Sequence, residues 1–459
     1  MIRLSAFAPG RPQSRRPQSR RDRLRLHLRA RRTWRTALVV GVAVTGGLAA
    51  AMFARLCDTA MRLHTHLMAL SPWTLLLLPI GFPLATWLTR RFAPEAAGSG
   101  IPQVMAAAQQ RWRGRWGGQR VTLRTAAWKV ALSAALLVCG ASIGREGPTV
   151  QVVAGILRTL TRGLKGGPGR RAIIIAGGAA GVSAAFNTPI AGVVFAVEEL
   201  AGSFDKRTNA TVILVVVAAG FAAYAVQGDY AYFGQLHGEG AALGSAWVSA
   251  PIIGLSAGLA GGLFSRLLAA LIGPGMAGWG VGPVARWRRA RPVLFAALCG
   301  LVAAAVAWLS GGLTFGAGYE EARSLLQDRP GRGLAFALWK AVASLAAAAS
   351  GAPGGIFAPS LATGAGIGAA WAHAGLWVGG RDAVVMGMTG YLSGVVQAPL
   401  TSAVILMEMT RDPGMVGPLL LTSLLARWAS GLVMPEPIYH VLAKSWTRLP
   451  PLVVAAEEG

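Results

Sequence analysis

The sequence predicts an all-α integral membrane protein, built from many tilted helices of unequal length in two related halves. Three observations carry this reading. The chain has 459 residues, of which 54% are hydrophobic and only 14% charged, and its mean hydropathy of +0.50 is too high for an ordinary water-soluble globule. Its apolar stretches are often shorter than the roughly 20 residues of a perpendicular span, and several are cut by Gly, Pro or a charge. Finally, one long segment of the first half reappears in the second. Short, interrupted apolar helices are what a transporter uses to line a cavity at membrane depth.

In chain order, residues 1–35 form an arginine-rich head that holds a good part of the formal net charge of +26. A nucleic-acid arm is one reading of such a run. Placed just before the first apolar segment, it reads better as a flank that keeps this end cytoplasmic, by the positive-inside rule. No small-residue cleavage site follows it, which argues against a transit peptide. Residues 36–235 are expected to make the first transmembrane repeat, 236–445 the second, and 446–459 a short tail without room for nucleotide-binding regulatory domains. Cys57, Cys139 and Cys299 are isolated thiols in apolar settings, and His64 and His66 have no third ligand nearby, so no cofactor or metal is expected.

The repeat emerges when WKVALSAALLVCGASIGREGPTV, from Trp128, is laid over WKAVASLAAAASGAPGGIFAPSL, from Trp339. Trp128 meets Trp339, Lys129 meets Lys340, Gly140 meets Gly351, Gly144 meets Gly355 and Pro148 meets Pro359. After a one-residue slip, Asn187 faces Gln397, Pro189 faces Pro399 and Glu198 faces Glu408. Both copies carry a glycine-rich break followed by proline and a new apolar run. Glycine permits the turn, and proline in a first helical turn forfeits no hydrogen bond. Two helix N-termini, each with free N–H groups and the positive end of a dipole, would then face a common point and make an anion site. GSGIP at 98–102 has the same character; Ser99 could cap its helix or point at an ion, and composition does not separate the two.

Three spaced motifs now resemble the signatures of the chloride channel (CLC) family of anion channels and proton-coupled anion exchangers. They are Gly98, Ser99, Gly100, Ile101 and Pro102; Gly144, Arg145, Glu146, Gly147 and Pro148; and Gly355, Ile356, Phe357 and Pro359 within GGIFAP. Tyr439 in PIYHVLA matches a fourth element. The resemblance covers nearly all of the chain after the head. It implies a CLC-type fold of two inverted repeats, a homodimer with one ion path per subunit, and a chloride ion held by the hydroxyls of Ser99 and Tyr439 and the amides of Ile356 and Phe357. Hydroxyls and helix-end amides can hold an anion yet release it, where a fixed lysine would trap it. Without the family, Tyr439 reads as an interfacial aromatic.

Glu146 sits between two runs of membrane interior. An N-terminal glutamate ordinarily just stabilises its helix. In a helix end that binds chloride, the carboxylate can take the anion's seat when ionised and vacate it when protonated, which makes it the gate and outer proton acceptor. Arg145 adds positive potential or seals the structure. Glu198 has a partner in the other half and reads as structural, whereas Glu199 faces Met409; by the resemblance, Glu199 matches the inner proton-transfer group of family exchangers. Coupling needs a second acid on the intracellular side, so a chloride/proton antiporter is favoured over a passive voltage- or pH-gated channel. Gln103 replaces a glutamate common in the family and is expected to touch only the pore entrance. By the same resemblance, Ser99 with an intact GREGP implies chloride, with bromide and nitrate as weaker substrates, rather than a nitrate-preferring or fluoride-specific member.

An enzyme would need a nucleophile, metal ligands or a phosphate-binding lysine beside Glu146, and none is evident. No Walker sequence is present. The expected partners are chloride, protons, lipid and a second copy of the chain, not nucleic acid, with a bacterial inner membrane as the expected location.

Overall fold

The computed structural model describes residues 20–109, 120–164, 168–201, 206–228, 243–272, 282–327, 333–375 and 379–447. The first part of the arginine-rich head, the junction between the two expected repeats at 235/236 and most of the expected tail lie outside the described residues.

The first half contains α1 (Arg20–Leu70), α2 (Leu77–Phe92), α3 (Ile101–Gln109), α4 (Leu123–Val138), α5 (Glu146–Leu160), α6 (Arg170–Phe186), α7 (Pro189–Phe195), a π-turn at Ala196–Ala201 and α8 (Lys206–Gln227). The second contains α9 (Leu243–Ile272), α10 (Pro283–Ala290), α11 (Pro292–Leu309), α12 (Tyr319–Leu326), α13 (Gly333–Ser350), α14 (Phe357–His373), α15 (Gly380–Val396), α16 (Pro399–Thr410) and α17 (Val416–Val433), and α18 (Ile438–Thr447) follows. Among the described residues, seven helices are long and apolar enough to cross a membrane, while α7, α12 and α16 are far too short. The chain is an integral, multi-pass membrane protein.

The helix ends repeat between halves because the same backbone conformations recur. Gly140 after α4 and Gly351 after α13 have φ of 86° and 85°, a left-handed turn that glycine adopts without strain. Asn187 and Gln397, which close α6 and α15, are left-handed at φ 59° and 60°, and each is followed two residues later by the proline that opens α7 or α16. Within each half the same layers form: α5 packs on α6 as α14 packs on α15, and α6 on α8 as α15 on α17. The backbones come very close. A Cβ on Gly181 would lie 2.6 Å from Val150 Cα, and one on Gly368 would lie 2.6 Å from Val384 Cα. Small residues at such contacts let van der Waals packing join helices in lipid, where no hydrophobic effect drives them together.

A further correspondence is absent from the sequence alignment above. Lys129, in α4, is fully buried and donates to the carbonyls of Ala96 (2.7 Å), Ala97 (3.4 Å) and Gly98 (2.7 Å). Lys340, in α13, is equally buried and donates to Thr314 (2.9 Å), Phe315 (3.3 Å) and Gly316 (2.7 Å). The two lysines therefore align Gly98-Ser99-Gly100-Ile101-Pro102 with Gly316-Ala317-Gly318-Tyr319-Glu320, and α3 with α12. Each ammonium's three donors meet successive carbonyls of the turn that leads into a helix.

Candidate functional site

The two halves meet at equivalent residues. Gly144 donates to the Gly355 carbonyl at 2.8 Å and Gly355 returns a bond to the Gly144 carbonyl at 2.9 Å, an antiparallel bridge. Equivalent residues can exchange both bonds in this way only about a local two-fold axis, so the segments reach their meeting point from opposite directions. The prolines obey the same symmetry. A Cβ on Gly144 would sit 3.1 Å from Pro359 Cδ, and one on Gly355 would sit 3.2 Å from Pro148 Cδ. A third strand of chain joins them, since Gly354 donates to the Gly98 carbonyl at 3.1 Å. The starts of α3, α5 and α14 thus converge, with Glu146 the first residue of α5 and Phe357 the first of α14.

Ser99 and Tyr439 lie at this convergence. Their hydroxyls neighbour each other, both are buried, and among the described residues neither makes a hydrogen bond of normal geometry. Ser99 therefore does not cap α3, which removes one of the two readings open from sequence. Tyr439 is wholly buried in α18, so it is not an interfacial aromatic. Gly147 must be glycine here, because a Cβ would lie 2.3 Å from Ser99 Oγ. The amides of Ile356 and Phe357, at the cap and first position of α14, have no intrahelical carbonyl to bond. Ile101 and Pro102 open α3 and are buried, with left-handed Gly98 and Gly100 just before them.

Gln103 lines the cavity beside Ser99 and has a structural part besides. It is buried, and its Nε2 donates to Ala97 O at 2.5 Å and Glu95 O at 3.3 Å, so it ties the turn before α3 from within. The single amide does this because that turn, like any helix approach, carries carbonyls that need donors.

Glu146 is buried, with relative exposure of 1%. Its Oε1 accepts a hydrogen bond from the Tyr319 hydroxyl. The amides of Ala358 and of Glu146 itself lie near the carboxylate, but Oε2 holds no bond of normal geometry. Arg145 turns away: its Nη1 donates to Asp58 Oδ1 at 2.6 Å and to the Ala54 carbonyl at 2.9 Å, clamping α5 to α1. Both roles considered for Arg145 have support: its contacts seal the structure, and its charge acts on Glu146.

Cavities approach this point from two sides. One, of about 950 Å³, is lined by Asp58, His64, Arg145, Tyr319, Glu320 and Glu321, at the C-terminal end of α1. Another, of about 470 Å³, is lined by Ser99, Gly354, Ile356, Arg288 and Arg289. Glu146 is in the wall of neither, and its neighbours Arg145 and Tyr319 line the larger.

The family model described as voltage gated chloride channel matches residues 81–431. The chain belongs to the voltage-gated chloride channel family. Similar relatives within it include the H(+)/Cl(-) exchange transporter ClcA of Citrobacter koseri, 28% identical over 90% of this chain and 88% of that protein. That of Vibrio parahaemolyticus is 30% identical over 78% and 76%. The fold is similar to that of a slow cyanobacterial Cl-/H+ antiporter, with TM-score 0.77 and 25% identity over 90% of this chain and 98% of that one. It is also similar to the fold of a CLC-type fluoride/proton antiporter, with TM-score 0.76 at 20% identity over 88% and 97%.

In this chloride channel family chain the two adjacent glutamates 198 and 199 differ completely in surroundings. Glu198 accepts from Leu400 N (3.0 Å), Thr401 N (2.7 Å) and Thr401 Oγ1 (2.6 Å), at the start of α16. Glu408 accepts from Ile190 N (3.1 Å) and Ala191 N (2.7 Å), at the start of α7. Each half thus caps a helix of the other, placing a carboxylate at the positive end of a helix dipole. Glu199 has no such service. It is buried in the π-turn, with Oε1 free of hydrogen bonds and 3.9 Å from Nε2 of the half-exposed His440, the neighbour of Tyr439. Sequence reasoning missed Tyr319, Lys129, Lys340 and His440. The lysines were already paired in the repeat, and a lysine inside an apolar span is itself a signal.

Proposed function

We propose that this chain exchanges chloride for protons, with the anion held between the hydroxyls of Ser99 and Tyr439 and the amides of Ile356 and Phe357. The observation that carries the reading is a pair of neighbouring buried hydroxyls that make no hydrogen bond of normal geometry among the described residues, set where helix N-termini from both halves converge. Unsatisfied donors inside a protein are disfavoured by about 1–3 kcal/mol each, and a dehydrated anion would satisfy both while the dipoles favour its charge. Such a seat has no fixed countercharge at Ser99 or Tyr439, so the ion can leave.

Glu146 is the gate and outer proton acceptor in this proposal. Its carboxylate sits by the Ala358 amide, in the same converging field that would attract the anion. Ionised, it excludes chloride from that place; protonated, it loses the attraction and yields. Glu199 receives the proton on the other side, being a buried acid with an open oxygen beside a half-exposed imidazole. Relatives named as exchange transporters support coupling over passive conduction. We further assign residues 36–235 and 236–445 as the two repeats, the arginine-rich end to the cytoplasmic face of a bacterial inner membrane, and the working unit to a homodimer.

The test is simultaneous recording of chloride and proton movement from purified protein in liposomes. A chloride gradient is expected to drive protons uphill, and Glu199→Gln to keep chloride flux while abolishing proton movement. Chloride flux without any proton movement in the unaltered protein would make it a passive channel.

A further inference from the structure

We propose that Tyr319 is a positioning residue for the gate: its hydroxyl holds the ionised carboxylate of Glu146 in the closed place. Neither the motif residues nor the repeat point to it. Tyr319 opens α12, the counterpart of α3, and occupies the position of Ile101. Where the first half directs the Ser99 hydroxyl to the convergence, the second half has Ala317 and reaches in two residues later with a phenol. That phenol donates to Glu146 Oε1. It also lines the larger cavity, so it stands between Glu146 and the solvent on that side.

Beside the backbone amides of Ala358 and Glu146, the tyrosine is the side chain that hydrogen-bonds the acid. Arg145 neighbours Glu146 but is committed to Asp58 and Ala54. Cys57 on α1 and Tyr439 on α18 are also within electrostatic range of Glu146. Glu320 and Glu321 lie on α12 in the cavity wall, and Lys340 is bound to carbonyls behind it. A phenol donates strongly to a carboxylate and weakly to a neutral acid. The bond therefore favours the closed, ionised gate, and its loss lets protonation open the path at higher pH.

This inference rests on the gate reading of Glu146, and the experiment separates the two. Chloride flux is measured against pH in liposomes for the native protein, Tyr319→Phe, Glu146→Ala and the double variant, all checked for monodispersity. Tyr319→Phe is expected to move the half-activating pH upward by about one unit, in line with a lost hydrogen bond to a charged group. Glu146→Ala is expected to flatten the profile, and Tyr319→Phe to add nothing in that background. An unshifted profile in Tyr319→Phe, beside a flat one in Glu146→Ala, overturns the tyrosine's role alone. A shift of the same size in the Glu146→Ala background also overturns it, since the effect would then be structural. A native-like profile in Glu146→Ala overturns the gate reading and this inference together.

Discussion

Residues 144–150 and 355–361 occupy equivalent places about one two-fold axis, yet one reads Gly-Arg-Glu-Gly-Pro-Thr-Val and the other Gly-Ile-Phe-Ala-Pro-Ser-Leu. What fixes the backbone is held in common: the glycine bridge and the proline of the first turn. What does chemistry is not. Glu146 stands opposite Phe357, Arg145 opposite Ile356, Ser99 opposite Ala317 and Glu199 opposite Met409. The buried lysines and crossed glutamate caps belong with the shared set, since each is matched in the other half. A symmetric scaffold supplies the converging helix ends, and one acid or hydroxyl per pair turns them into a directional path.

That division predicts how substitutions sort. The largest effects are expected from the shared lysines. Lys129→Met and Lys340→Met each remove a buried ammonium that ties three carbonyls of one turn, a loss of at least about 3 kcal/mol from the charged hydrogen bonds given up. Both variants should fail alike to yield monodisperse protein, judged by size-exclusion chromatography and thermal unfolding in detergent. Tolerance of one and not the other would break the equivalence. Next come the divergent residues. Ser99→Ala should weaken chloride binding at least tenfold by calorimetry, as a lost donor to a charged partner implies, whereas Ala317→Ser should leave affinity unchanged. The smallest effects belong to the caps. Glu198→Gln and Glu408→Gln should each lower stability by about 1 kcal/mol, Glu198 by slightly more because it also accepts from the Thr401 hydroxyl. Widely unequal losses would mean that one glutamate has a second role.

Much of the scaffold was legible because backbone geometry restricts the letters. A left-handed turn keeps Gly140 and Gly351, and a first-turn proline keeps Pro148 and Pro359, so the repeat survives as identities. The site was legible to the extent that its motifs are contiguous, as at 98–102 and 144–148. Interactions that close across the fold left no such trace. Tyr319 reaches Glu146 over 173 positions, and a tyrosine at a short helix start carries no sign of its partner. The pairing of Glu198 with Glu408 was visible, but not that each would cap the opposite half. Gln103 lines the cavity at Ser99, but its hold on the carbonyls of Glu95 and Ala97 was not legible, because backbone atoms have no letter of their own.

The central claim is that oriented donors from both halves enclose an anion for whose neighbouring place Glu146 competes. Anomalous diffraction from crystals grown in bromide tests it most directly. A peak is expected between Ser99 Oγ and the Tyr439 hydroxyl, against the amides of Ile356 and Phe357, with a second near the Ala358 amide in Glu146→Ala. Crystals of either protein with no bromide peak between Ser99 and Tyr439 would contradict it.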